Sequence, residues 1–201
     1  MSSRKLLPVA ALTALLACAP AAALAATEHY TIDPEHTFPS FEADHMGISI
    51  WRGKFNTSSG KVTLDKAADT GAVTGGTVDI TIDLASVDFG HDGLNEHAKG
   101  TDLFDIAKYP QATYHGTLAG FEDGRPTRLV GELTLHGVTR PVELEISLFN
   151  CVPHPMIKRE QCGADASGTI ERDDFGIDAG KDYGFDMTVP LHIQVEALQD
   201  A

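Results

Sequence analysis

Positive charge is scarce in this sequence. Its 201 residues include 15 lysines and arginines against 29 aspartates and glutamates, so the formal net charge is −14 at pH 7. Such an acidic surface repels nucleic acid and anionic lipid headgroups, and we expect neither as a partner. The acidity indicates a soluble protein and leaves its chemistry undetermined.

Long apolar runs are confined to the N-terminus. Arg4 and Lys5 precede an apolar run from Leu6 to Ala17, and small residues follow up to Ala23-Leu24-Ala25. A basic start, a short apolar run and an A-x-A ending are typical of a secretory signal peptide, and the run is too short to span a bilayer stably. We therefore predict a signal peptide over 1–25, cleavage after Ala25, and one mature domain over 26–201 without stable membrane insertion.

Cysteine is also rare, with three residues in the chain. Cys18 ends a Leu-Leu-Ala-Cys sequence that resembles a lipoprotein processing site, so lipid attachment there remains the alternative to simple secretion. Cys151 and Cys162 bracket a segment with two prolines, which predicts a loop. In an oxidising compartment this pair should form a structural disulfide, and its spacing does not match a C-x-x-C metal or redox site.

Several motifs of enzymes and metal sites are missing. The sequence has no G-x-S-x-G, no H-E-x-x-H and no glycine-rich phosphate loop. The nine histidines raise the hypothesis of a metal site, but His91 and His97 are six residues apart and do not share one helical face. We expect no catalytic residues, no metal ligands and no required cofactor.

Alternation with a period of two dominates the rest of the chain. Each of four segments places large apolar residues on one face: Val78, Ile80, Ile82 and Leu84; Leu129, Gly131, Leu133 and Leu135; Val142, Leu144, Ile146 and Leu148; and Met187, Val189, Leu191, Ile193, Val195 and Ala197. This pattern predicts amphipathic strands, and the turn signals between them are evenly spaced. The sequence therefore predicts an all-β domain, either a closed antiparallel barrel or a sandwich.

Residues 91–110 break this alternation. Asp92 is a candidate N-cap for a short helix that ends near Lys99, and Gly100 is a suitable stop. One or two further turns precede Pro110. We predict a short helical segment near residues 92–108 that covers one end of the domain.

Five motifs occur in an order that resembles the YceI-like family of secreted polyisoprenoid-binding proteins. They are TIDPEHTFPSFEADHMG, RGKF, LNEHAKGTDLFDIAKYPQATY, GELTLHGVTRPVEL and GTIERDDFGI. The resemblance implies a lipocalin-like antiparallel barrel of about eight strands whose interior holds a long isoprenoid or other lipid chain. It also implies a binding protein, not an enzyme.

The stretch from Phe41 to Phe55 is consistent with such an interior. Read as one alternating run, it places the small residues Ala43, Gly47 and Gly53 between aromatic ones, which predicts open space with an apolar lining. Glycines here could equally mark bulges. The residues that we expect to bind the ligand are Phe38, Phe41, His45, Trp51, Phe55, Phe89, Leu94, Leu103, Phe104, Tyr114 and Phe185, although ordinary core packing is an alternative for each of them.

These observations lead to one functional hypothesis and two alternatives. The hypothesis is a periplasmic carrier that sequesters or transports a polyisoprenoid, with a prenyl quinone as one candidate ligand, and with homodimerisation left open. The first alternative is an envelope-stress interaction protein whose cavity is incidental. The second is a lipid-modifying barrel enzyme, for which His45 and His97 would be the candidate ionisable residues.

Overall fold

The computed structural model describes residues 26–201. The predicted signal peptide and Cys18 lie outside the described residues. The described chain contains eleven strands and one α-helix: β1 (Ala26–Ile32), β2 (Phe38–His45), β3 (Ser49–Phe55), β4 (Ser58–Lys66), β5 (Val73–Asp83), β6 (Val87–Asp88), α1 (Asp92–Lys99), β7 (Gln111–Glu122), β8 (Arg125–Leu135), β9 (Val138–Pro153), β10 (Glu160–Glu171) and β11 (Thr188–Gln199).

Eight of these strands close into an antiparallel barrel. Their order around the ring is β1-β4-β5-β7-β8-β9-β10-β11, and β11 pairs with β1 to complete it. The predicted all-β barrel of about eight strands is therefore confirmed. Closure satisfies the backbone groups that an open sheet edge would expose, and it directs the apolar face of every strand inward.

The sheet continues beyond the ring at one end because the edge of β11 that does not pair with β10 has two partners in succession. Its last residues pair with β1 (Ala197 with Ile32), whereas its first half pairs with β2 (Leu191 with Phe41). β1 and β2 thus follow each other along β11. β3 then pairs with β2, and β6 pairs with β3.

The long alternating run around Trp51 is a hairpin, not one strand. β2 and β3 pair with Ala43 opposite Trp51 and His45 opposite Ser49, so three residues form the connection. Directly opposed residues share a face of a sheet, and a three-residue connection preserves the odd–even alternation of the sequence. Phe41, Ala43, His45 and Trp51 therefore do share the inward face.

The alternation predicted for β9 is wrong at its end. Ala166 pairs with Ile146 but Asp165 pairs with Leu148, so Ser147 is an extra residue that forms a bulge. An extra residue moves every following side chain to the other face. Leu148 consequently points outward and is 56% exposed, and Phe149 and Cys151 become the residues that pack against the core.

The predicted helical segment is α1 followed by turns. His91, not Asp92, caps the helix, because its Nδ1 accepts a hydrogen bond from the Leu94 amide at 3.3 Å. Residues 101–108 form hydrogen-bonded turns, not a further helix; in one of them the Phe104 amide donates to the Ala98 carbonyl at 3.0 Å. Within residues 26–201, no helix combines the length and the apolar character that a membrane span requires.

Candidate functional site

A cavity of about 580 Å³ occupies the barrel interior. At one end its lining residues are exposed, as at His97 and Asp102. At the other end they are buried, with Tyr30 and Leu64 at most 1% exposed. The cavity therefore has an open mouth, where the β2–β3 hairpin, α1 and residues 172–187 meet, and a closed floor, near the β4–β5 and β9–β10 turns.

Aromatic rings in contact with one another form the mouth end of the wall. Consecutive ring centroids lie 4.5–6.5 Å apart, a range typical of favourable edge-to-face and offset pairs. His45 stacks on Trp51 at 4.5 Å, the shortest of these distances. In order of contact the rings belong to Phe104, Phe55, Phe41, Phe89, Trp51, His45 and Phe185.

Ten of the eleven predicted ligand-binding residues line this cavity, and their contact with a ligand stays a prediction. The ten are Phe41, His45, Trp51, Phe55, Phe89, Leu94, Leu103, Phe104, Tyr114 and Phe185. Phe38 does not, because it is on the opposite face of β2 from Phe41. Its ring lies outside the barrel, 4.8 Å from the Lys54 ammonium group.

The expectation about small residues is wrong at two of three positions. Gly47 is in the β2–β3 turn with φ +68° and open space around it, so it does not face the cavity. A Cβ at Gly53 would come within 2.6 Å of the Phe41 ring, which shows that this glycine makes room for a ring and not for a ligand. Ala43 does line the cavity.

Small residues that the sequence analysis did not identify also line the cavity. They are Ala164 and Ala166 of β10 and Ala112 of β7, and they join Ala197, which was expected on the inward face of its strand. In the segment Cys162–Ile170, small residues occupy every second position up to Gly168, and this pattern could have indicated an open cavity wall. Aliphatic residues of the predicted strands complete the wall, among them Val78, Ile80, Ile82, Leu129, Leu133, Leu191, Ile193 and Val195.

Tyr114 is a rigid part of this wall. Its ring lies close over two paired glycines, and a Cβ at Gly131 would be only 2.8 Å from its hydroxyl. The hydroxyl donates a hydrogen bond to the Val142 carbonyl at 2.8 Å. Burial raises the pKa of Tyr114 to about 12, with a smaller contribution from Glu143.

A network of charged side chains closes the floor. The buried Tyr30 hydroxyl accepts a hydrogen bond from Lys66 Nζ at 2.9 Å and lies 2.6 Å from a carboxylate oxygen of both Glu28 and Glu160. Lys66 also forms ion pairs with both carboxylates. Burial, reinforced by the two carboxylates, raises the pKa of Tyr30, and the hydrogen bond from Tyr30 lowers the pKa of Glu28.

The predicted disulfide is present beside this network. Cys151 and Cys162 are directly paired residues of β9 and β10, with their Cα atoms 4.0 Å apart. Cys162 lines the cavity. The bond therefore joins two neighbouring strands near the floor in addition to closing the β9–β10 turn.

Few charged groups reach the mouth. Asp44, Asp102 and Arg172 are among the lining residues. Arg172 donates hydrogen bonds to the carbonyls of Ile177 at 3.0 Å and Ala179 at 2.7 Å, which holds residues 172–187 against the barrel. Burial lowers the pKa of Arg172, and neighbouring aspartates act in the opposite direction.

Three potential metal ligands come together away from the cavity lining. Side-chain atoms of Asp33, His36 and Glu196 lie within 4.8 Å of one another. Asp33 and His36 are hydrogen-bonded at 2.8 Å, which raises the pKa of His36, and Glu196 accepts a hydrogen bond from Gln161 at 2.5 Å. Hydrogen bonding thus accounts for this cluster, and the expected absence of a metal stays a prediction.

Comparison with known proteins places the chain in a family. The model of the YceI-like domain matches residues 30–197. Protein YceI of Escherichia coli O6:H1 is 37% identical over 176 residues, which cover 85% of this chain and 86% of that protein. The crystal structure of the Campylobacter jejuni YceI protein has a TM-score of 0.63 at 25% identity, covering 79% of this chain and 90% of that one. A polyisoprenoid binding domain from Saccharophagus degradans, implicated in plant cell wall breakdown, has a TM-score of 0.59 at 20% identity and covers 85% and 98% of the two chains. This chain belongs to the YceI-like family.

Proposed function

We propose that this protein binds a polyisoprenoid chain inside its barrel and carries or sequesters it in the periplasm. The observation that carries the proposal is the cavity of about 580 Å³, which is lined almost entirely by apolar side chains and opens at one end. A volume of this size is within the range of sites that enclose small molecules. Binding requires only shape and apolar contact, so no catalytic group is needed.

The physical chemistry of an isoprenoid tail suits this cavity. Moving a methylene group from water into an apolar site is worth about 0.8 kcal/mol, so a long tail gains considerable free energy from burial. Ordering the flexible tail consumes part of this gain. The cavity walls are already formed and contain few polar atoms to desolvate, which limits the further cost of binding.

Two further lines of support come from relatives and from the chain itself. The Saccharophagus degradans domain with this fold is a polyisoprenoid binding domain. The signal-like sequence before Ala26 and the Cys151–Cys162 disulfide favour an oxidising compartment outside the cytoplasm.

The charges at the mouth favour a neutral headgroup, such as a quinone, over a diphosphate. The guanidinium group of Arg172 is already bonded to two backbone carbonyls, while Asp44 and Asp102 are both negative. The adjoining segment 172–187 adds five aspartates and one lysine. A quinone ring could instead stack beside Trp51 and His45, which already stack on each other.

The first experiment is native mass spectrometry of the mature protein purified from its own periplasm, followed by organic extraction. We expect a mass excess that extracts as a prenyl lipid or quinone. Bare protein that also fails to take up an added prenyl quinone would contradict the proposal. Titration with a prenyl diphosphate of the same chain length tests the headgroup, because the proposal predicts weaker binding than for the quinone.

Two variants on one strand test whether the cavity is the binding site. Ala164→Phe adds a ring to the cavity wall, whereas Ser167→Phe adds the same ring to the exposed face of β10. We expect the first variant to lose uptake of the quinone and the second to retain it. Equal uptake by two folded variants would place the ligand elsewhere.

A further inference from the structure

The tip of the β2–β3 hairpin exposes large apolar side chains to solvent. Met46 is 51% exposed, Ile48 is 76% exposed and Ile50 is 44% exposed. From His45 to Trp51 the chain has no acidic or basic residue apart from His45 itself. A cluster of exposed apolar side chains at a protruding point is typical of an interaction site.

The backbone of this tip is not what turn formation alone would select. Met46 has φ +59° and Gly47 has φ +68°, and the Ile48 amide donates to the His45 carbonyl at 3.0 Å. Such a turn favours asparagine or glycine at its first central position, because other side chains are strained there. A methionine at this position adds strain and exposes an apolar group, so the turn itself does not explain it.

The tip also borders the cavity mouth. Ala43, His45 and Trp51 of the same hairpin line the cavity, so the exposed tip adjoins the cavity opening.

A second exposed methionine–isoleucine pair provides a contrast at the floor end. Met156 is 81% exposed and Ile157 is 46% exposed in the β9–β10 turn. The residues around them include His154, Lys158 and Arg159. Charged neighbours make insertion into an apolar phase unfavourable there, and no part of this turn lines the cavity.

We propose that the hairpin tip docks the mouth onto the surface of a zwitterionic lipid bilayer. Met46, Ile48 and Ile50 would enter the region between the headgroups and the acyl chains, which brings the mouth to the membrane. This inference rests on the proposed function, which explains why docking would be useful. At the membrane, an isoprenoid could pass between the bilayer and the cavity without exposing its tail to water. The docking itself can be tested without any isoprenoid.

The charge of the protein selects the kind of bilayer. With a net charge of −14 the chain is repelled by anionic headgroups. Binding should therefore be strongest to phosphatidylcholine vesicles and weaker when phosphatidylglycerol is added. Raising the salt concentration should reduce that difference, because salt screens the repulsion.

The test compares two double variants in sedimentation with phosphatidylcholine vesicles. Met46→Asn with Ile48→Ser alters the tip, and Met156→Asn with Ile157→Ser makes the same changes at the other end. We expect the partitioning of the tip variant to fall about tenfold or more, with the control unchanged. The tip variant should remain folded, because asparagine suits the left-handed backbone at position 46.

Three outcomes contradict the docking proposal. The first is a parent protein that does not sediment with vesicles, which would leave a protein partner as the occupant of the tip. The second is a tip variant that binds vesicles as well as the control does. The third is a parent protein that sediments with phosphatidylglycerol vesicles in preference to phosphatidylcholine vesicles.

A separate measurement distinguishes this proposal from the proposed function. Quenching of Trp51, the one tryptophan of the chain, reports uptake of a prenyl quinone from detergent micelles, where no bilayer is present. The tip variant should match the parent in micelles and extract the quinone more slowly from vesicles. If neither the parent nor the tip variant takes up the quinone from micelles, the proposed function is wrong. The sedimentation experiment still tests whether the hairpin tip docks on a bilayer.

Discussion

The two ends of the barrel interior use opposite chemistry. The mouth is formed by aromatic rings in edge-to-face, tilted and stacked contact that leave a cavity open, whereas the floor is formed by Lys66, Tyr30 and two glutamates joined by hydrogen bonds and ion pairs. Aromatic contacts are weakly directional and can yield to a ligand. A network of partly buried charges tolerates little displacement, because each group needs its partner. The comparison indicates that the floor fixes the barrel, while the mouth keeps the apolar cavity open.

The largest effect should follow from Lys66→Met, which removes the cation from the floor. Glu28 and Glu160 would then face each other without compensation, and we expect a loss of about 3 kcal/mol in the free energy of unfolding. Urea denaturation measures it. The matched control is Lys61→Met, which breaks an exposed pair with Asp200 and should cost far less, because solvent screens that pair. Equal losses in the two variants would show that the floor network adds no special stability.

Removal of the disulfide should have the next largest effect. The double variant Cys151→Ala with Cys162→Ala frees the β9–β10 turn, and we expect a loss of about 2–3 kcal/mol in the free energy of unfolding. Quinone uptake by the folded variant should be unchanged, because the bond lies at the floor. A loss of uptake without a loss of stability would contradict the separation of the two ends.

At the mouth, Gly53→Val tests the packing of the rings. The added side chain collides with Phe41 and Phe89, so we expect a loss of about 1–3 kcal/mol in stability together with altered fluorescence of Trp51. Gly47→Ala, in the open turn nearby, should strain only the backbone and leave that fluorescence unchanged. If the two substitutions change the Trp51 fluorescence equally, ring packing does not account for the change. The contrast between the mouth and the floor would then lose support.

The smallest effect concerns the pH dependence of the floor. The pKa of Glu28 is lower in the folded chain than in the unfolded one, so its ionised form stabilises the fold above about pH 4.3. This contribution is lost as the pH falls through the folded pKa. Denaturation at roughly pH 6 and roughly pH 3.5 should therefore show a smaller difference for Glu28→Gln than for the parent. If the parent and Glu28→Gln lose the same amount of stability between the two pH values, the acid sensitivity comes from other carboxylates.

Strand alternation predicted the inward faces wherever the period of two was uninterrupted, while the choice of a barrel over a sandwich came from the family resemblance. On β11 every second residue from Val189 to Ala197 lines the cavity as expected. On β9 the same reasoning failed at Leu148, because a bulge adds a residue without a clear local signal. In the β2–β3 hairpin the faces were right but the turn was missed, since methionine is an unusual residue for it.

The floor could not be predicted, because its members are distant in the sequence. Lys66 and Glu160 are 94 residues apart and meet only after the ring has closed. In the sequence each looks like an ordinary solvated charge. The aromatic residues of the mouth were easier to identify, since large rings in a β-rich chain with few aromatics are natural candidates for a cavity wall.

Both ends of the described chain emerge at the floor. Ala26 pairs with Lys66 of β4, and Gln199 pairs with Tyr30. An affinity tag, a fluorescent protein or a surface linker attached at either end would therefore extend away from the mouth. The molecule can therefore be immobilised through either terminus with the mouth of its cavity facing the solution, so that surface-based binding assays leave the mouth unobstructed.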